Sequence, residues 1–294
     1  MSAPATCAAQ PRQVVNALTV DVEDYFHVTS LAAVAPRDSW DGFAPRVTSN
    51  VERLLALFER AGTRATFFVL GWVASRHPEL VRLVAQQGHE IASHGYGHEL
   101  VYEMSPARFR EDVRRSRGLL EGLSGQPVLG YRAPSFSITS RSLWALDVLV
   151  EEGYCYDASI FPVVHDRYGI PGFERHAHVI PTPAGPLMEA PASTARVAGM
   201  TLPVAGGGYF RLLPYAWTRW GIRVLNRRER RPAVFYIHPW EIDPGQPRLQ
   251  AAWPNRVRHY RGLERTEAKL ARLLSEFRFG PVREVFSGLL PGAA

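Results

Sequence analysis

Two short segments put metal-binding and proton-moving side chains at the ends of apolar runs. Asp21, Glu23 and Asp24 follow Ala17-Leu18-Thr19-Val20, and His94 and His98 close the stretch that ends at Ser93. Carboxylates and two imidazoles converging from different strand ends suit a zinc-like divalent ion with positions open to water, and such a site points first to hydrolysis. A histidine pair spaced four apart is a weak signal alone. Its setting strengthens it: Gly95 and Gly97 permit a tight turn that brings both rings to one side. Further chemistry-bearing residues recur at other strand ends, with Arg132 after 128–131, Asp157 after 154–156 and His238 after 233–237.

The elements that would carry these residues alternate. Strands are expected at 14–22, 65–70, 90–93, 128–131, 154–156 and 233–237. Helices are expected at 47–61, closed by Gly62, at 78–87, closed by Gly88, and at 105–123 with Pro106 in the first turn. A Thr139 or Ser140 cap opens another helix ending near Gly153, and a last helix at 261–277 precedes a strand at 282–286. Between 161 and 214 the pattern gives way to prolines and Gly206-Gly207-Gly208, which reads as loops and short strands, one of them at 187–190. The repeating β-then-α order predicts an α/β fold with a parallel sheet, as a barrel or partial barrel, in one domain over 17–290 behind a tail at 1–16. Strand ends are where such folds place their chemistry.

Composition sets the function classes. With 294 residues and 46% hydrophobic content the chain can bury a large core. Its net charge of +6 would suit nucleic acid, but Lys269 is the single lysine among 34 basic residues, which fits a coding bias equally well. The densest basic run, Arg219 to Arg231, is interrupted by Trp220, Ile222, Val224 and Leu225 at helical spacing, and reads as the solvated face of an amphipathic helix. No nucleic-acid partner is expected. Cys7 and Cys155 are too few for a disulfide framework, the first sixteen residues lack the basic-then-apolar order of a secretion signal, and no apolar run reaches about 18 residues. The expected location is cytoplasmic.

The motifs TVDVEDYFH (19–27), SHGYGH (93–98), GYRAPSFS (130–137), YDASIFP (156–162) and FYIHPWEID (235–243) occur in the order found in polysaccharide deacetylases. The chain resembles carbohydrate esterase family 4, with its NodB-like distorted (β/α) barrel. GGGYFRLLP (206–214) and IHPWEIDP (237–244) are similar to the branch linked to exosortase-associated exopolysaccharide loci.

The resemblance implies residue roles. Asp21 matches the general base, Arg132 the residue pairing with it, His94 and His98 the metal-binding histidines, His238 the general acid, and Asp157 the acid that orients it. The usual family pattern carries an aspartate directly after the base, where this chain has Val22. A subgroup similar to peptidoglycan deacetylases and allantoinases carries the ligand two residues on, which points to Glu23, with Asp24 as the alternative. The cofactor implied is a divalent metal, zinc first, with cobalt and nickel accepted by the same donors. The backbone N–H of Ser135 would bind an oxyanion, and Tyr209, Phe210 and Trp240 would face a sugar. Each residue also has a plain structural reading: Arg132 as a salt bridge, Asp157 as a turn residue, the aromatics as core. His27, His89, His165, His176 and His178 are read as structural or surface, with His27 beside the metal loop as the exception to watch. The leading expectation is removal of N-acetyl groups from a polysaccharide or oligosaccharide. Hydrolysis of a small cyclic amide or ureide, and glycan binding without catalysis, are the alternatives.

Overall fold

The computed structural model describes residues 13–292. Cys7 and most of the expected N-terminal tail lie outside the described residues. The chain opens with β1 (Val15–Val22), whose residues after Val15 are all buried, followed by two 3₁₀ turns and α1 (Val47–Arg60). Helix α1 turns Val51, Leu54, Leu55 and Phe58 inward, the i, i+3, i+4, i+7 stripe of a helix lying on a sheet. Next come β2 (Thr66–Val69), α2 (Gly71–Arg76), α3 (Pro78–Gln86), β3 (Glu90–Ser93) and α4 (Pro106–Ser124). Helix α4 begins where Ser105 Oγ accepts the Arg108 N–H at 3.3 Å and ends on Gly125 in the left-handed region at φ 66°.

β4 (Gly130–Tyr131), α5 (Trp144–Glu151) and β5 (Tyr156–Asp157) follow. Helix α5 starts later than the Thr139 or Ser140 cap predicts, because Ser142 Oγ takes the Thr139 N–H and holds 139–142 as a turn. The span read as loops holds two hairpins, β6 (His178–Thr182) with β7 (Gly185–Glu189) and β8 (Thr194–Val197) with β9 (Met200–Pro203), and then α6 (Gly207–Leu212). α7 (Tyr215–Arg223) runs into a π turn at 224–229, and the arginines of this segment stand on its outer face, as expected. β10 (Val234–Ile237), α8 (Trp253–Tyr260), α9 (Leu263–Glu276), β11 (Arg278–Gly280) and α10 (Val282–Val285) complete the order. The strand expected at 282–286 is therefore helical. Pro281 supplies the entry to that turn, and the strand lies just before it, paired with the start of β1.

The sheet runs β10-β1-β2-β3-β4-β5-β7-β6, parallel except for the β6/β7 hairpin. Beyond β7 the chain crosses to β10, where Val234 N–H donates to Ser193 Oγ at 2.7 Å and Gly206 bridges Tyr236. This contact, made by irregular chain instead of a long ladder, closes the barrel and distorts it. Gly206, at φ +130°, is required here: a Cβ would lie 1.9 Å from the Tyr236 carbonyl oxygen. The carboxyl ends of β1, β3, β4, β5 and β10 gather Asp21, His94, Arg132, Asp157 and His238 at one end of the barrel.

Candidate active site

Glu23 leaves β1 buried, and its Oε1 lies 3.2 Å from His94 Nε2 and 3.3 Å from His98 Nε2. The His94 ring is oriented from behind: Nδ1 donates to the Arg132 carbonyl at 2.8 Å, leaving the Nε2 lone pair facing Glu23. The loop carrying His98 turns at Gly95, φ +72°, where a side chain would collide with Asp112 Oδ2. A carboxylate and two imidazole lone pairs thus converge on one point from different strand ends. Two ligands at zinc–nitrogen and zinc–oxygen distances and the tetrahedral angle stand about 3.3 Å apart, the spacing found here. The donor set fits a divalent ion. Burial alone would push the Glu23 carboxyl up, but His98, His94 and His238 together hold it well below the usual carboxylate range, so it is ionised and ready to coordinate.

Asp24 is not part of this cluster. Its Oδ1 accepts the Tyr25 N–H at 2.8 Å, and its Oδ2 accepts the N–H groups of Arg46 at 2.6 Å and Val47 at 2.9 Å, which fixes the start of α1. The alternative ligand suggested by sequence is a structural cap. His27 is structural too: Nδ1 accepts the Asp24 N–H at 2.8 Å, and the ring packs edge-on against Trp40 and Trp72.

Asp21 lies beside the cluster with Arg132 behind it. The Arg132 guanidinium is fully buried and donates from Nη1 to Asp21 Oδ1 and to Thr19 Oγ1, both at 2.7 Å, and from Nε to the Ala158 carbonyl at 3.1 Å. His238 faces them from β10, its Nε2 3.8 Å from Asp21 Oδ2 and 3.7 Å from Glu23 Oε1. A carboxylate and an imidazole therefore flank one small space next to the metal-type cluster.

The partner of His238 differs from the sequence expectation. Its Nδ1 meets Glu241 Oε2 at 3.0 Å, and the same oxygen accepts the His238 backbone N–H at 3.1 Å. Glu241 is held in turn by Arg211 Nε at 3.1 Å, and Arg211 Nη1 donates to the carbonyls of Arg258 and Arg261. Burial would depress the His238 pKa, but Glu241, with help from Glu23 and Asp21, outweighs it and raises the pKa to about 9. Asp157, cast as the orienting acid, is instead paired across β5 and β7 with Glu189. Their outer oxygens, Asp157 Oδ2 and Glu189 Oε2, are buried without another partner, while Asp157 Oδ1 accepts from Ser159 Oγ at 2.5 Å. Burial raises both carboxyls, and the Asp157 charge beside it pushes Glu189 well above its ordinary range. Glu241 was detectable in sequence: His-Pro-X-Glu after a strand is a capping box with histidine at the cap.

A cavity of about 410 Å³ opens over these groups, with Asp21, Glu23, His98 and His238 on its floor. Ser135 and Tyr209 line it. Ser135 holds a left-handed backbone, φ 53°, a conformation that costs energy in a non-glycine residue and recurs at active sites. Trp240 also lines it, stacked between His238 and His259 with centroids 5.3 and 4.3 Å away. Phe210 does not: it is 1% exposed and packs edge-on against Phe235, 5.0 Å away, because helical spacing from Tyr209 turns it inward. His165, read from sequence as structural or surface, lines the cavity with Tyr168, their rings parallel at 3.8 Å.

Residues 38–150 match the family model described as polysaccharide deacetylase, and residues 158–287 match one described as a domain of unknown function (DUF3473). A peptidoglycan deacetylase-like protein of Gibberella zeae is 32% identical over 120 residues, 40% of this chain and 34% of that protein. A peptidoglycan deacetylase of Helicobacter pylori is 29% identical over 110 residues, 37% and 36% of the two chains. The chain carries a polysaccharide deacetylase domain over residues 38–150. The aligned part spans about a third of the length of these curated relatives. In fold, a putative polysaccharide deacetylase from Mycobacterium smegmatis superposes with a TM-score of 0.60 at 21% identity, covering 95% of this chain and 94% of that one. The second matched segment is not separate in space, since β10 from it pairs along β1 of the first half. Among the described residues no helix is long and apolar enough to cross a membrane.

Proposed function

We propose that the chain is a metal-dependent N-deacetylase of amino sugars in an exopolysaccharide or its precursor, with Glu23, His94 and His98 as the ligands of a zinc-like ion. The observation that carries this reading is the joint placement of an ionised carboxylate, two oriented imidazoles, a base and an acid around one space. When bound, the metal supplies Lewis acidity to a water and to the acetamide carbonyl. Asp21, fixed by Arg132, takes the proton of the attacking water. The water oxygen bonds to the carbonyl carbon, and the negative charge that develops on the carbonyl oxygen is met by the Ser135 N–H. The carbon–nitrogen bond then breaks, and His238 delivers its proton to the departing nitrogen, so that acetate and a free amine result. Glu241 keeps His238 charged and aimed, a role we assign to it in place of Asp157. Tyr209 and Trp240 flank the sugar.

Acetate release from N-acetylglucosamine oligomers tests the reading, with protein stripped of metal and then reloaded with zinc, cobalt or nickel. Activity should vanish and return, and Asp21→Asn should retain metal while losing turnover. A reloaded enzyme that releases no acetate from any N-acetylated sugar would sink the proposal.

A further inference from the structure

We infer that the outer wall of the cavity, formed by Arg167, Arg258, His165, Tyr168 and Tyr209, selects a substrate that carries an anionic group beside the sugar being deacetylated. The inference rests on the proposed deacetylase reading and names its substrate class: an acidic glycan, whose charge is a carboxylate on a neighbouring sugar or a phosphate in its linkage.

Some arginines of this arginine-rich chain meet carboxylates, as Arg110 and Arg114 share Glu152 and Arg219 and Arg272 share Glu276, and others stand without one; what sets Arg167 and Arg258 apart is that they line the cavity. Three arginines line the cavity, and one of them, Arg211, is spent on Glu241. Arg167 and Arg258 have no carboxylate partner among the described residues. Even Asp166, the neighbour of Arg167, turns away, its Oδ1 2.9 Å from His165 Nδ1. Arg167 belongs to the loop after β5 and Arg258 to α8, so segments about ninety residues apart bring two free guanidiniums to one wall. Both bear electrostatically on the same pair of rings, His165 and Tyr168.

Those rings give the wall its shape. His165 lies flat on Tyr168, and Tyr168 lies parallel to Phe161 at 5.8 Å, a stack that offers a flat face to a pyranose ring. Tyr209 Oη sits 3.4 Å from Tyr168 Oη and joins this platform to the floor. The carboxylates lining the cavity, Asp21 and Glu23, are on the floor and would repel an anion placed there. The charge pattern thus orients the substrate, with the acetamide down on the acids and the anionic group out on the arginines. A guanidinium contact to a carboxylate or phosphate in a partly desolvated wall is worth about tenfold in affinity.

Three probes test this: neutral chitotetraose, a hyaluronan tetrasaccharide whose glucuronates alternate with N-acetylglucosamine, and UDP-N-acetylglucosamine with its diphosphate. kcat/KM for acetate release is measured on the metal-loaded enzyme, and Kd by calorimetry on Asp21→Asn, so that binding is read even if no probe turns over. At least one charged probe should be favoured over chitotetraose by about tenfold, and the ratio should shrink in about 1 M salt, where screening is short-ranged. The probe that is favoured identifies carboxylate or phosphate as the source. In the Arg167→Gln/Arg258→Gln double variant the charged-to-neutral ratio should fall towards one, and the Arg→Lys pair should restore part of it. A ratio near one in the wild type, or a ratio that survives in the double glutamine variant, overturns the inference. Loss of turnover with the Kd ratio intact would count against the deacetylase reading alone.

Discussion

The two sides of the cavity are built by different means. On one side, Asp21, Glu23, His94, His98 and Arg132 follow the ends of β1, β3 and β4 in one parallel run of the sheet, and backbone register fixes the spacing of those ends before any side chain is placed. On the other, His238 is one step beyond a strand, but its partner Glu241, the clamp Arg211 and the aromatic wall come from a 3₁₀ turn, a short helix and a loop. The first side is set by sheet register and tied across it by Arg132, which reaches Asp21, Thr19 and the Ala158 carbonyl from one strand end. The second depends on a relay of buried charged groups, each useless without the next. The metal side should therefore fail locally, and the acid side should fail in chains.

The largest effect belongs to the metal side. His94→Ala removes a ligand that a backbone carbonyl already orients, so metal affinity should drop by more than about a hundredfold while the fold persists. Metal content after dialysis and circular dichroism check the two halves of that statement; full occupancy would disprove it. Glu23→Gln should lose metal as well. Asp24→Asn should instead keep the metal and cost about 1 kcal/mol of stability, since its oxygens hold the amides at the start of α1.

Next comes the relay. His238→Ala should lower kcat by about a hundredfold or more with the metal retained. Glu241→Gln tests whether the acid is tuned from behind. His238 must be protonated to act, Glu241 raises its pKa, and the alkaline limb of the kcat/KM profile follows loss of that proton. Removing the carboxylate charge should therefore move the limb to lower pH, whereas Asp157→Asn should leave it in place. A limb that moves in Asp157→Asn and stays fixed in Glu241→Gln would restore the role that the family pattern suggests.

This contrast also marks what could be read from the chain. The α/β order, the barrel and the carboxylate and imidazoles at strand ends follow from local patterns: an apolar run, a turn residue, an acid or imidazole at its end. The resemblance ranked Glu23 ahead of Asp24 but left both open, because both lie in one loop and what divides them in space is the contact of Asp24 with Arg46 and Val47 about twenty residues on. The resemblance pairs Asp157 with His238, and the structure pairs it elsewhere for a related reason. Its partner Glu189 sits across a parallel pairing of β5 and β7 that no local pattern announces. Phe210 and Tyr209 are chemically alike in sequence, and only the rotation of α6 decides which one faces the cavity.

The buried Asp157–Glu189 pair has its own pH signature. Burial and the neighbouring carboxylate raise the Glu189 pKa well above its unfolded value. Its contribution to stability is full at acid pH, below the ordinary glutamate pKa, and is lost as pH rises through the raised folded value. Glu189→Gln keeps a donor between the two side chains and does not titrate. Its unfolding midpoint should match the wild type in acid and exceed it increasingly as pH rises. Parallel melting curves across pH would argue against that raised value.

The smallest effect is expected at Lys269, the single lysine in a chain that otherwise uses arginine. Its Nζ donates to the carbonyls of Phe210, Arg211 and Leu213 at 3.0, 3.1 and 2.9 Å, collecting the end of α6, the helix that carries Tyr209 to the cavity and Arg211 to Glu241. Three carbonyls around one point suit a compact ammonium with three donors, while the planar fork of a guanidinium spreads its donors over a wider arc. Lys269→Arg keeps the charge, so its effect isolates shape. It should cost about 1 kcal/mol, a fall in Tm of about 2–4 °C for a domain of this size. Because α6 anchors the relay, the same change should lower kcat and shift the alkaline limb slightly in the direction of Glu241→Gln, with metal content unchanged. A loss of stability with an unaltered pH profile would confine Lys269 to holding the helix, and would show that the acid side tolerates small displacements better than a chain of buried contacts implies.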